Sequence, residues 1–193
     1  MRRGGRKYRH KKGGIRNTTP DRTSIRKRPA VINDRKRFGD WGNGSGRRHA
    51  AKRLLVTAVE RKSGFLKMIK VRNKRTKTVI AGILKMFAGE DPKLIRSMTF
   101  DNGTEFTDHK LLRRKLGVKT YFADPYCSCQ GGTNENTNGL VRQFMPKSLD
   151  FGYVSVRDVY SALAKINNRP RNRLHYRTPR EVLYENRKIA FQF

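Results

Sequence analysis

The chain has 193 residues, 46 of them Lys or Arg against 15 Asp or Glu, for a net charge of +31. That length makes about one domain, and a body so charged repels itself and is drawn to polyanions, which makes nucleic acid the default partner. No apolar run approaches the ~20 residues of a membrane span, no apolar segment follows the basic N-terminus as in a signal peptide, and two cysteines, Cys127 and Cys129, cannot build a secreted disulfide scaffold. A cytoplasmic, nucleoid-associated location with no membrane partner is expected.

Residues 1–38 differ from the rest. They hold 15 basic residues and two acids, Asp21 and Asp34, with isolated apolar residues such as Ile25 and Ile32. So little apolar surface does not offset ordering entropy, and a flexible basic arm is expected over 1–38, followed by a folded core over 39–193. The run 54–59, Leu-Leu-Val-Thr-Ala-Val, reads as a buried strand, and Arg61-Lys62-Ser63-Gly64 turns it into a second strand over 65–71. A helix is predicted over 76–88, with Val79, Ile80, Ile83, Leu84 and Phe87 on one face. Ile95 to Phe100 reads as a strand stopped by Asp101-Asn102-Gly103. Thr107 is placed to cap a helix that ends at Leu116, with Gly117 at its C-terminal cap. Val118 to Phe122 follows as a strand. Three helices then close the chain. The first starts near Thr133 and turns Leu140, Val141 and Phe144 inward. The second is capped by Ser155 with Asp158 and carries Val159, Tyr160, Leu163 and Ile166. The third is capped by Thr178 with Glu181. Strands first, then alternation, then helices alone predicts an α/β fold, a mixed sheet with helices on both faces.

Two acids stand out from this pattern. Asp101 follows a strand, where sheets of this class place ligand sites. Glu135 lies in the first turns of an Asn-rich helix, and Arg142 shares its solvent-facing side at i+7. Between Asp101 and Glu135 a helix, a strand and a loop can return the second acid to the first. Two carboxylates over a positive surface suit Mg²⁺ (or Mn²⁺), and a pair of such ions can clamp an in-line attack on a phosphodiester. His10, His49, His109 and His175 have no zinc-ligand spacing to the cysteines.

Three strings carry a closer likeness: Thr99-Phe100-Asp101-Asn102-Gly103-Thr104-Glu105-Phe106, Tyr121-Phe122-Ala123-Asp124-Pro125-Tyr126, and Gly132-Thr133-Asn134-Glu135-Asn136-Thr137-Asn138-Gly139-Leu140. With Asn168-Arg169-Pro170-Arg171 and Thr178-Pro179-Arg180-Glu181-Val182, they resemble the insertion-sequence transposases of the IS-thirty family, DDE recombinases related to retroviral integrases. The resemblance spans roughly residues 20 to 185. It implies an RNase H-like fold, metal-dependent cleavage and strand transfer on transposon-end DNA, and a possible homo-oligomer. Asp101 and Glu135 map onto the second and third acids of the family's triad. The family's N-terminal helix-turn-helix region is expected to be missing from this sequence. Lys147, Arg169, Arg171 and Arg173, with Arg142, are expected phosphate contacts, and binding through them should weaken with salt.

One motif departs from the family. Its first catalytic Asp stands three residues after a Trp, in Trp-Glu-x-Asp followed by apolar residues. Here the string is Trp41-Gly42-Asn43-Gly44-Ser45-Gly46-Arg47-Arg48, which puts Gly44 at the metal-binding position. Glycine weakens strands, so the first strand is expected to be disrupted and catalysis impaired, down to the alternative of a non-catalytic DNA-binding remnant. The codons TGG GGA AAT GGA TCT GGT CGT CGG encode the observed string. Deleting one G from the first run yields Trp-Glu-Met-Asp-Leu-Val-Val, so a compensated frameshift would explain the stretch.

Overall fold

The hairpin over 54–71 organises the molecule. A computed structural model describes residues 21–46, 53–124, 132–146 and 153–190. Strands β1 (Asp40–Gly46), β2 (Leu54–Glu60), β3 (Leu66–Val71), β4 (Ser97–Phe100) and β5 (Lys119–Phe122) form one sheet in the order β3-β2-β1-β4-β5. β2 runs antiparallel to β1 and β3, whereas β4 and β5 run parallel to β1 and each other.

Each face of the sheet carries its own core, as the side-chain alternation of strands requires. On one face, Trp41, Val56, Ala58, Met98 and Phe100 pack beneath α2 (Thr76–Met86) and α3 (His109–Leu116), through Val79, Ile80, Ile83 and Leu112. Trp41 meets Phe87 edge-on at 4.8 Å and donates its indole N–H to Leu94 O at 2.8 Å. On the other face, Leu55, Val59, Leu66 and Met68 meet Val141 of α4 (Gly132–Phe144) and Val159, Ala162 and Ile166 of α5 (Val156–Asn167). A last helix, here α6 (Pro179–Ala190), follows; the four-residue helix α1 (Ala30–Asn33) lies near the N-terminal end.

Several expectations need correction. Strand β1 is formed, not disrupted. It lies inside the sheet, so its backbone bonds to β2 along Trp41–Gly46 and to β4 along Asp40–Gly42. The β2 ladder along the whole strand, joined by β4 up to Gly42, supplies what the glycines cannot contribute through side chains. Within the segment 1–38, residues 21–38 pack on the body: Phe122 N–H donates to Thr23 O at 2.9 Å, and Ile25 and Ile32 are buried. Residues 1–20 lie outside the described residues. α3 begins at His109 without a side-chain cap, and Thr107 Oγ1 bonds Thr104 O instead. Phe144 and Tyr160 are exposed rather than inward.

Candidate active site

Strand register defines the site. Cross-strand partners share a face, and Gly42 and Gly44 pair with Val59 and Thr57. Val59 belongs to the core beneath α4 and α5. A side chain at position 44 would therefore project to the α4 side. The β1–β4 ladder ends at Gly42↔Thr99. Gly44 lies two residues further along β1, and Asp101 follows the last residue of β4, Phe100. Helix α4 lies against β1 and β2, and Glu135 stands in its first turns. Arg169 Nη1 donates to Gln143 Oε1 at 3.3 Å near the helix's other end.

The carboxylate of Asp101 reaches the surface, but packed neighbours withdraw water from it and raise its pKa; the nearby Glu105 charge adds to the rise, while the Gly103 N–H bond at 2.9 Å and the Lys74 ammonium oppose it. Glu105 is a second acid at this turn. It is buried, accepts Ser45 Oγ at 2.6 Å and pairs with Lys74 Nζ at 2.9 Å. Its carboxylate sits so close over Gly103 that a Cβ there would meet Oε2 at 2.5 Å. Beyond the end of the β1–β4 ladder, Ser45 and Glu105 thus tie the tip of β1 to the turn that follows Asp101. Nothing local in sequence signals this, because Ser45, Lys74 and Glu105 lie on three separate segments.

The other expected residues scatter. Arg142 is exposed on α4. Lys147 lies outside the described residues, as do Cys127 and Cys129. Arg171 and Arg173 do not join Asp101. They follow α5 and pack at the β2–β3 turn, where Arg173 Nη1 donates to Lys62 O at 3.0 Å. The physical reason is the capped run of α5, which carries the chain down the sheet to that turn: Asn167 bonds both Leu66 N–H at 2.8 Å and Leu66 O at 2.9 Å. Among the described residues no helix is long and apolar enough to cross a membrane.

The chain is 38% identical over 185 residues to the transposase for insertion sequence element IS4351 of Bacteroides fragilis, a match taking in 94% of this chain and 56% of that protein. It is 35% identical over 179 residues to transposase InsI for insertion sequence element IS30A of Escherichia coli (strain K12), across 91% of this chain and 46% of the relative. It is 34% identical over 172 residues to the transposase for insertion sequence element IS1086 of Cupriavidus metallidurans, across 87% and 50%. The chain spans about half the length of the curated relatives it matches. No family model matches. Among solved structures, the catalytic core domain of BIV integrase superposes with a TM-score of 0.61 at 20% identity, covering 79% of this chain and 98% of that one. A chain of a simian T-cell lymphotropic virus intasome, solved with the PP2A regulatory subunit B56 gamma, superposes with a TM-score of 0.54 at 19% identity, covering 66% and 48%. The five-stranded mixed sheet and its flanking helices are the RNase H-like fold of an integrase catalytic core.

Proposed function

Starting from a chain that belongs, over the part it shares with its relatives, to the IS30 family of insertion-sequence transposases, we propose that it is the catalytic part of a DNA transposase, impaired by the glycine at position 44. The reaction is cleavage and strand transfer of phosphodiesters at transposon ends, with residues 39–193 as the core and the basic run of 1–38 following DNA phosphates. Asp101 and Glu135 hold a divalent cation, and Arg142, Lys147, Arg169, Arg171 and Arg173 contact DNA. A homo-oligomer acting at the nucleoid, in the cytoplasm, belongs to the same proposal.

One observation carries it. Gly44 lies two residues beyond the last β1–β4 pair and Asp101 just past the end of β4, while α4, which carries Glu135, lies against β1 and β2. The donor chemistry fits Mg²⁺ or Mn²⁺, because carboxylate oxygens are hard ligands and a cation beside Asp101 would offset the lost hydration that raises its pKa. When bound, the ion supplies Lewis-acid stabilisation of the phosphoryl oxygens and lowers the pKa of an attacking water. The protein's own residues keep Asp101 in place through the Gly103 N–H and anchor the neighbouring strand tip through Ser45 and Glu105. Position 44 offers no oxygen, so the set is one carboxylate short. Gly44 also favours a second reading, a DNA-binding remnant without catalysis.

The test is strand transfer on duplexes carrying element ends, with Mg²⁺ or Mn²⁺. Gly44→Asp should be active, and adding Asp101→Asn or Glu135→Gln should abolish that activity. Activity that survives loss of either acid would refute the assignment.

A further inference from the structure

Three segments far apart in sequence meet at the β2–β3 turn, the end of the sheet opposite Asp101. Arg173 Nη1 donates to Lys62 O at 3.0 Å, and its guanidinium covers Gly64 so closely that a Cβ there would lie 2.2 Å from Nη2. Arg171 Nη2 donates to Ile166 O at 3.2 Å. Arg61 Nε donates to Ile32 O at 3.2 Å. Lys62 Nζ stands 4.2 Å over the Phe38 ring. Each of these named contacts goes to a neutral partner, so no carboxylate cancels the charge through them. Asp40 and Glu60 lie nearby and favour the charged form of Arg61, as Glu60 does for Arg173, but their direct hydrogen bonds go to other groups: Arg37 and Ser97 hold Asp40, while Ser63 and the Gly39 N–H hold the buried Glu60.

The cations feel one another. Burial first, then Arg35 and Arg171, lower the proton affinity of Arg173; burial and then Arg169 do the same to Arg171. Arg61 falls to about 10 through burial and then through Arg28 and Arg35. Arg35, Arg169 and Arg173 are exposed. A row of like charges is unfavourable alone and is relieved by a polyanion that lies along it.

Charge complementarity names the occupant. Gly44 pairs with Thr57, and β2 ends three residues further along at Glu60, where the chain turns. At roughly 3.3 Å per residue that strand run is about 10 Å, or about three base pairs at 3.4 Å along one DNA strand. We propose that this end of the sheet is a second DNA contact, which grips the sugar-phosphate backbone about three base pairs from the reacting phosphodiester. The proposal rests on the transposase reading and goes beyond it by separating the site that grips flanking DNA from the site that does chemistry.

Binding of the full chain to a labelled end duplex, titrated against salt in EDTA, tests it without the metal chemistry. Arg35→Gln with Arg173→Gln should weaken binding and shrink the log–log salt slope by roughly 1.8, since each phosphate contact contributes about 0.9. Removing two exposed charges from the α3 face, Arg113→Gln with Arg114→Gln, should leave the slope nearly unchanged. Arg35→Lys with Arg173→Lys should keep most of the slope. Equal effects of the two glutamine pairs would overturn the proposal. So would a lysine pair that loses as much as its glutamine counterpart, because the guanidiniums would then serve folding. Because EDTA removes any divalent cation, this binding does not depend on the metal-dependent step. Failure of strand transfer with this binding pattern intact would therefore count against the catalytic reading alone.

Discussion

At the scale of the residue, the proposed chemistry turns on position 44. The backbone of β1 is intact there, and only the side chain is missing. The gene offers an independent check: the frameshift account predicts codons in which removal of one G restores Trp-Glu-x-Asp, and any codon set that cannot do so rules it out. Asp101 shows the cost of the site. Its proton is held more tightly in the folded chain than at the ordinary value of 3.8, first because of burial. A raised carboxyl pKa gives stability that is full below the unfolded value and is lost as pH rises through the folded one, so ionised Asp101 weakens the fold at neutral pH. Asp101→Asn should raise the melting temperature at pH 7, and the gain should vanish near pH 3. Identical melts of the two proteins at pH 7 would contradict this. The Asp-Asn-Gly turn made Asp101 legible in sequence. Glu105 was not legible, because its meaning lies in a buried bond to Ser45 and an ion pair with Lys74.

At the scale of the element, sequence signals succeeded where the physics is local. The α5 capping box forms as read: the Ser155 side chain accepts the Asp158 N–H, and Asp158 accepts the Ser155 N–H. Thr178 and Glu181 do the same before α6. Ser155→Ala should cost about 1 kcal/mol in a urea melt. Thr107 failed as a cap because α3 starts only at His109, which puts Asp108 at the N-cap position, a boundary the residue string does not show. Strand β1 was misjudged for a similar reason: glycine is a poor strand former alone, but β2 pairs with the backbone from Trp41 to Gly46, and β4 with its first residues. Close packing is equally hidden. A Cβ on Gly82 of α2 would meet Val71 Cγ1 at 2.7 Å. Gly82→Ala should therefore destabilise by roughly 1–3 kcal/mol, the usual overpacking cost, although alanine is the better helix former. A variant more stable than the parent in the same melt would refute that packing.

At the scale of the molecule, charge was the most legible property and its placement the least. A net charge of +31 led to the expectation of a polyanion as partner. Only the fold shows that Arg171 and Arg173 collect at the β2–β3 turn while Asp101 sits at the other strand ends. Residues 21–38 looked too polar to order, yet Ile25 and Ile32 dock them on the body, because two buried isoleucines and a backbone bond to Phe122 do what mean composition does not reveal. The account turns on the missing carboxylate between β2 and β4. Strand-transfer yield of the chain, measured beside Gly44→Asp with Mn²⁺ on the same DNA, tests it most directly. Loss of one ligand's share of a stabilisation worth several kcal/mol predicts a gain of about a thousandfold on repair; robust transfer by the unaltered chain, or no gain from the added aspartate, would contradict it.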